Sequence, residues 1–135
     1  MILNLLIDLV RKESEIISLY DFAFKKTNNP EITEKYLIFQ QDHKRHLEIL
    51  LDMINNVDIE NPGKLGTINP NDQATFSEIS GQNQVAEELL VKEKEINILY
   101  ENSLELDVDS KAAEILDENL EDEQQHVRFF EIWLA

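Results

Sequence analysis

The sequence predicts an all-α protein: a four-helix bundle built from two helical hairpins that one long crossover joins. Apolar residues recur at three- and four-residue spacing in four separate segments, which is the pattern of helices that bury one face. Turn-forming residues concentrate in a polar stretch of roughly 25 residues between the second and third segments. Almost no segment alternates apolar and polar residues as a strand would, so a strand-rich fold is excluded.

The first hairpin is predicted to span about residues 2–55. Its first helix, about 2–27, carries an apolar stripe made of Leu3, Leu6, Val10, Ile17, Tyr20 and Phe24. That helix ends before Pro30, because Asn29 can cap the next helix and proline suits a first helical turn. The second helix reaches about residue 55 and has a stripe containing Tyr36, Phe39, Leu50 and Met53.

The crossover is predicted at about 56–81, with a short turn of helix near 72–79. The second hairpin then occupies about 82–134. Its third helix carries Ala86, Leu89, Ile96, Tyr100 and Leu104, and its fourth carries Leu116, Leu120, Val127, Phe130 and Leu134. Either Asp109 or Ser110 caps the fourth helix. We therefore expect residues 1–135 to form a single domain.

The composition excludes several classes of function. The 28 acidic and 12 basic side chains give a net charge of −16, so nucleic acid is a poor partner and cations are the more natural ligands. The absence of cysteine excludes disulfides, thiolate nucleophiles and cysteine-ligated metal centres. No apolar run approaches about 18 residues, and the N-terminal segment lacks the features of a leader peptide. We expect no membrane span and a cytoplasmic location.

A weak internal repeat relates the two hairpins. A shift of 80 residues places Lys12 and Glu13 on Lys92 and Glu93, and it places Tyr20 on Tyr100, Asp42 on Asp122 and His46 on His126. The matches concentrate on residues that carry chemistry rather than on apolar ones. We interpret each half as a copy of one hairpin.

Polar residues interrupt the apolar stripe of every helix. They are Glu13 on the first helix, His43 and His46 on the second, Glu93 on the third, and Glu123 and His126 on the fourth. A buried carboxylate is costly unless it is paired or bound to a metal. Within each hairpin these residues lie at similar distances from the turn, so all six are expected in one layer of the core.

Two interpretations of this layer stay open. Glu123 and His126 are three residues apart on one helical face, where a carboxylate and an imidazole can ligate one metal ion. Alternatively, the inward Glu and His residues form an ion-pair network without metal. Asp42 and Asp122 flank the layer and are interpreted as solvated surface acids, with a role in guiding cations as the alternative.

The two hairpins resemble ferritin-like di-iron carboxylate proteins in the neighbourhood of rubrerythrin and bacterioferritin. In that family each hairpin supplies a Glu from its first helix and a Glu-x-x-His from its second, and a Tyr commonly follows the first Glu by seven residues. Glu13 and Glu93 precede Tyr20 and Tyr100 by that spacing, and the Glu-x-x-His motif of the second hairpin is complete. The first hairpin lacks the Glu of this motif, since His43 stands where the family has a Glu that usually bridges the metals.

The resemblance implies two iron ions. One would be held by Glu93, Glu123 and His126 and the other by Glu13 and His46, with Glu123 bridging and His43 completing the set. Tyr20 and Tyr100 either hydrogen-bond these carboxylates from outside or are ordinary core residues. The three carboxylates carry one negative charge fewer than the four positive charges of two Fe²⁺ ions. Three possibilities therefore stay open: an added anion balances the charge, the site holds a single metal, or it holds two unlike metals. Imidazole also suits Mn and Zn.

By the same resemblance, the protein oxidises Fe²⁺ with O₂ or peroxide, or reduces peroxide. Peroxide reduction would need an external electron donor, because the chain has no cysteine for an electron-transfer iron centre. The expected partners are metal ions with O₂ or peroxide, and a second copy in a homodimer. Two alternatives stay open: a non-catalytic ferritin-like bundle with an interaction role, and a Zn- or Mn-binding protein with a hydrolytic or structural role.

Overall fold

The computed structural model describes residues 2–57, 81–106 and 108–135. These residues form four helices and no strand: α1 (Ile2–Phe24), α2 (Pro30–Val57), α3 (Gln82–Leu104) and α4 (Ser110–Trp133). The predicted all-α fold class is therefore confirmed. The predicted crossover at 56–81 falls almost wholly outside the described residues, and so does the short helix near 72–79.

Helix α1 ends earlier than the predicted end near Thr27. The backbone N–H of Lys25 donates to Phe22 O at 3.1 Å, and that of Lys26 donates to Ala23 O at 3.0 Å. Bonds of this i→i−3 type tighten the last turn of a helix and stop its regular ladder. The residues that follow α1 then turn toward α2.

Side-chain caps begin α2 and α4 where the sequence predicts them. Asn29 Oδ1 accepts hydrogen bonds from the backbone N–H groups of Glu31 at 2.9 Å and Ile32 at 3.3 Å. Asp109 Oδ1 accepts from Ala112 N at 2.8 Å, so Asp109 rather than Ser110 is the cap. Each cap satisfies backbone donors that have no partner within the helix.

The helices pack so that each is antiparallel to its neighbours. Helix α1 packs against α2 and α3, and α4 packs against α3 and α2. Tyr20 near the end of α1 contacts Glu93 of α3, whereas Glu13, earlier on α1, contacts Tyr100, later on α3. The two helices therefore run in opposite directions. This arrangement directs one face of every helix at a common axis.

The core along this axis is apolar at both ends and polar in between. Large side chains that are almost completely buried include Tyr36 and Phe130 toward one end and Leu6 and Leu9 toward the other. Burial contributes about 1.5–3 kcal/mol for Phe130 and for each of the two leucines. The polar layer contains Glu13, His43, His46, Glu93 and Glu123, all 0% exposed, and His126 at 1%.

Candidate metal centre

The structure brings all six predicted ligand residues together. They form two overlapping groups: Glu13, His43, His46 and Glu123, and His43, Glu93, Glu123 and His126. In each group one potential ligand atom from every residue lies within 4.8 Å of the others. The helical stripes explain this convergence, since each residue stands where its helix faces the axis and the antiparallel packing brings these positions to one level.

Glu123 faces both groups. Its Oε1 lies 2.7 Å from His46 Nδ1, whereas its Oε2 lies 3.4 Å from His126 Nδ1. One carboxylate thus presents a separate oxygen to each group. This geometry suits a ligand shared by two ions.

The ring of His43 points into the centre. Its Nδ1 contacts Glu13 Oε1 and lies 3.3 Å from Glu123 Oε1, and its Nε2 lies 2.7 Å from Glu93 Oε1. His43 is the residue that stands at the usual position of a bridging Glu. Its side chain occupies the space between α1, α3 and α4 rather than turning away from it.

Several polar atoms in the centre are close to one another without being hydrogen-bonded. His43 Nε2 and Glu93 Oε1 are 2.7 Å apart, and His126 Nδ1 and Glu93 Oε2 are 2.6 Å apart. Neither pair is aligned as a hydrogen bond, and among the described residues Glu123 Oε2 has no hydrogen-bond partner either. Buried polar atoms are nearly always hydrogen-bonded. Donor atoms that converge without pairing fit a bound metal ion.

The carboxylates favour charged imidazoles in the absence of metal. Burial acts to lower the pKa of His43, but the charges of Glu123, Glu93 and Glu13 outweigh it and hold that pKa well above its ordinary value. For His46 burial again opposes the charged form, and its hydrogen bonds to Glu123 and Glu13 raise the pKa to about 10. Protons on the rings therefore balance the carboxylate charge.

The pKa values of Glu93 and Glu123 are shifted in opposite directions. Burial acts to raise the pKa of Glu93, but His43 and His126 outweigh it and bring that pKa down to about 2. The pKa of Glu123 is raised instead, because burial and the charges of Glu13 and Glu93 prevail over the opposing effect of His43. Of the three buried carboxylates, Glu123 is the one whose ionised form the charges of the other two destabilise most. A divalent ion would relieve that repulsion.

Asp42 and Asp122 contact the two outer histidines. Asp42 Oδ2 lies 2.8 Å from His126 Nε2, and Asp122 Oδ2 lies 2.9 Å from His46 Nε2. The interpretation of these residues as solvated surface acids was wrong, because the antiparallel packing of α2 and α4 places each Asp beside the histidine of the other helix. Each contact engages Nε2 and leaves Nδ1 facing inward.

The two tyrosines hydrogen-bond carboxylates of the opposite hairpin. The Tyr100 hydroxyl donates to Glu13 Oε2 at 2.7 Å, and the Tyr20 hydroxyl donates to Glu93 Oε2 at 3.4 Å. Asn119, which the sequence analysis missed, donates from Nδ2 to the Tyr100 oxygen at 3.3 Å. Its only signal in the sequence is an amide on the buried stripe of α4, three residues after Leu116.

Contacts between the hairpins come in pairs that are 80 residues apart. Lys12 Nζ lies 2.8 Å from Glu95 Oε2, and Lys92 Nζ lies 2.9 Å from Glu15 Oε1. The Asp–His and Tyr–Glu contacts described above pair in the same way. An internal repeat would produce such a pattern, and the repeat itself stays a prediction.

Four antiparallel helices around buried carboxylates and imidazoles define the class of ferritin-like helical bundles with a potential metal site. The family model described as Rubrerythrin matches residues 4–133, and the chain belongs to the rubrerythrin family. The family resemblance found in the sequence is thereby confirmed. No curated protein matches the chain, and no solved structure matches it. Of the helices described here, none is long and apolar enough to cross a membrane.

Proposed function

We propose that the protein binds two iron ions in this centre and acts as a di-iron oxidoreductase. The observation that carries the proposal is the pair of overlapping ligand groups, which share His43 and Glu123. Glu93 and His126 would hold one ion, Glu13 and His46 the other, and Glu123 would bridge them. His43 would complete the set.

When bound, iron supplies the redox chemistry, which we propose to be the oxidation of Fe²⁺ by O₂ or peroxide, or the reduction of peroxide. The side chains hold the ions in a buried layer that keeps bulk water away. Asp42 and Asp122 orient the two outer imidazoles, and Tyr20 and Tyr100 hold carboxylate oxygens in place. An external donor would supply electrons for peroxide reduction.

Iron is proposed from the family and the ligand set taken together. Three carboxylates and three imidazoles also suit Mn and Zn, so ligand type alone does not choose between these metals. Competition between Fe²⁺, Mn²⁺ and Zn²⁺ for the metal-free protein under matched anaerobic conditions tests the choice. Preferential retention of Zn²⁺, with no redox activity of the iron-loaded protein, would favour a structural or hydrolytic role.

An anaerobic calorimetric titration of the metal-free protein with Fe²⁺ tests the function directly. Two ions per chain, followed by a prompt rise in near-ultraviolet absorbance when O₂ is admitted, would support the di-iron proposal. The E123A/H126A double variant is expected to lose bound iron, whereas E121A, which removes an exposed carboxylate from the same helix, should keep it. Unchanged iron content in the double variant would overturn the assignment.

A metal-free structural role is the second candidate, and the close His–Glu ion pairs favour it. The two functions differ in their response to metal. A metal that binds only the folded state at 100 times its dissociation constant stabilises the protein by about 2.7 kcal/mol. Thermal stability that is the same with metal and with chelator would support the ion-pair network and overturn the metal centre.

Two further parts of the proposal rest on the sequence and the family alone. We propose a cytoplasmic location and a homodimer. Fractionation of the native host and analytical ultracentrifugation of the purified chain test them separately.

A further inference from the structure

The three histidines of the centre use their ring nitrogens in different ways. His46 and His126 each turn Nδ1 toward the ligand carboxylates and Nε2 toward an outer aspartate. A terminal metal-bound histidine has this arrangement, because one nitrogen binds the ion and the other is held by an outer acceptor. Among the described residues, neither ring nitrogen of His43 contacts an outer aspartate. Both of its nitrogens face ligand carboxylates.

We propose that the His43 ring bridges the two metal ions, with Nδ1 bound to one ion and Nε2 to the other. The proposal rests on the two-ion centre proposed above. Nδ1 contacts Glu13 in the first ligand group, and Nε2 lies 2.7 Å from Glu93 in the second. The ring is 0% exposed and is held between these carboxylates, so no solvent competes for either nitrogen.

Charge balance supports a bridging His43. Three carboxylates leave two divalent ions with one positive charge in excess, which is costly in a fully buried site. An imidazole that binds a metal through each nitrogen carries no proton and counts as a single negative charge. A bridging His43 therefore balances the charge of the directly bound ligands without an added anion, which a His43 bound through one nitrogen would not do.

The separation of the two ions distinguishes a ring bridge from the usual oxygen bridge. Two ions that share a single bridging oxygen atom lie about 3.5–4 Å apart. Glu123 presents a separate oxygen to each ligand group and does not impose that distance. An imidazole with a metal–nitrogen bond of about 2 Å on each side places the ions roughly 6 Å apart. Anomalous diffraction from crystals of the Zn²⁺-loaded protein measures this separation. X-ray absorption of the anaerobic Fe²⁺-loaded protein in solution detects a second iron only if it lies at the shorter distance.

Each outcome decides the proposal. Two ions about 6 Å apart, one on each nitrogen of His43, would support it. Two ions within about 4 Å of each other, or a single ion with the other His43 nitrogen hydrogen-bonded to a carboxylate, would overturn the bridge and leave a metal-binding protein. A protein that binds no metal would overturn the proposed function, and the bridge would fail with it.

Conservative variants give an independent readout in solution. H43Q is expected to weaken binding of both ions by at least ~10-fold, because both lose a ligand. H46Q and H126Q are matched controls in which only one of two calorimetric binding events weakens. Loss of a single binding event in H43Q would overturn the proposal. If H43Q does not fold, the metal separation in the unaltered protein decides.

Discussion

Asp42 Oδ2 and His126 Nε2 lie 2.8 Å apart and join α2 of the first hairpin to α4 of the second. Asp122 and His46 repeat the relationship at 2.9 Å in the opposite direction. The two contacts tie the hairpins together at the level of the centre and hold both rings with Nδ1 inward. Their role is therefore to orient the imidazoles, which connects the packing of the bundle with its affinity for metal.

Removing these carboxylates is expected to weaken metal binding selectively. D42N should lower affinity for the ion on the His126 side by ~10–100-fold, and D122N should do the same on the His46 side, because each ring loses its orienting acceptor. Anaerobic calorimetry of each variant measures the loss. D52N, which removes an exposed carboxylate from α2, is the control and should bind metal normally. If D42N binds both ions as tightly as D52N, the orienting role is wrong.

Metal binding should release protons near neutral pH. The pKa of His46 is raised to about 10, and the pKa values of His43 and His126 are raised well above their ordinary value, so all three rings are protonated before metal enters. A metal ligand nitrogen cannot keep its proton. Titrations in buffers with different ionisation enthalpies should give observed heats that differ in proportion to those enthalpies. Heats that are independent of the buffer would contradict the prediction.

The two tyrosines should differ in their contribution to stability. Y100F removes a hydrogen bond of 2.7 Å to Glu13 and leaves that buried carboxylate with one donor fewer, which is expected to cost about 1.5–3 kcal/mol. Y20F removes a 3.4 Å contact to Glu93 and should cost less. Urea unfolding of the metal-free variants measures both. Equal losses would show that the tyrosines contribute mainly through packing of their rings.

Most of this bundle is predictable from the sequence alone, because its helices and their caps depend on residues that are close together in the chain. The stripe that contains Leu6 and Val10, and the caps Asn29 and Asp109, depend on helical periodicity and on backbone groups a few residues away. The six residues of the polar layer are predictable for the same reason, since each interrupts an apolar stripe. Within each hairpin, the common level of these residues follows from the distance of each residue from its turn.

The partners of these residues were harder to predict. Asp42 lies four residues before His46 on α2, yet it pairs with His126 of α4. The register between two helices of different hairpins depends on packing throughout the core. The direction of the His43 ring depends on three other helices in the same way. Contacts of this kind have no local signature in the sequence.

The metal-free and metal-loaded proteins should respond to pH with opposite signs. The pKa of His46 is raised from its ordinary 6.5 to about 10, so its contribution to stability is complete below pH 6.5 and is lost as the pH rises through about 10. Glu93, with its pKa lowered from 4.5 to about 2, contributes fully above pH 4.5 and loses that contribution as the pH falls through about 2. The metal-free protein should therefore become less stable between pH 6.5 and 9.

Metal requires the neutral imidazoles, so the Zn²⁺-loaded protein should gain affinity, and with it stability, over the same rise in pH. Thermal unfolding at pH 6.5 and 9, with chelator and with Zn²⁺, measures both trends. H46Q is the matched control, because removal of the titrating ring should reduce the pH dependence of the metal-free protein. A metal-free protein that is equally stable at both pH values would show that the charged imidazoles do not hold the empty centre together.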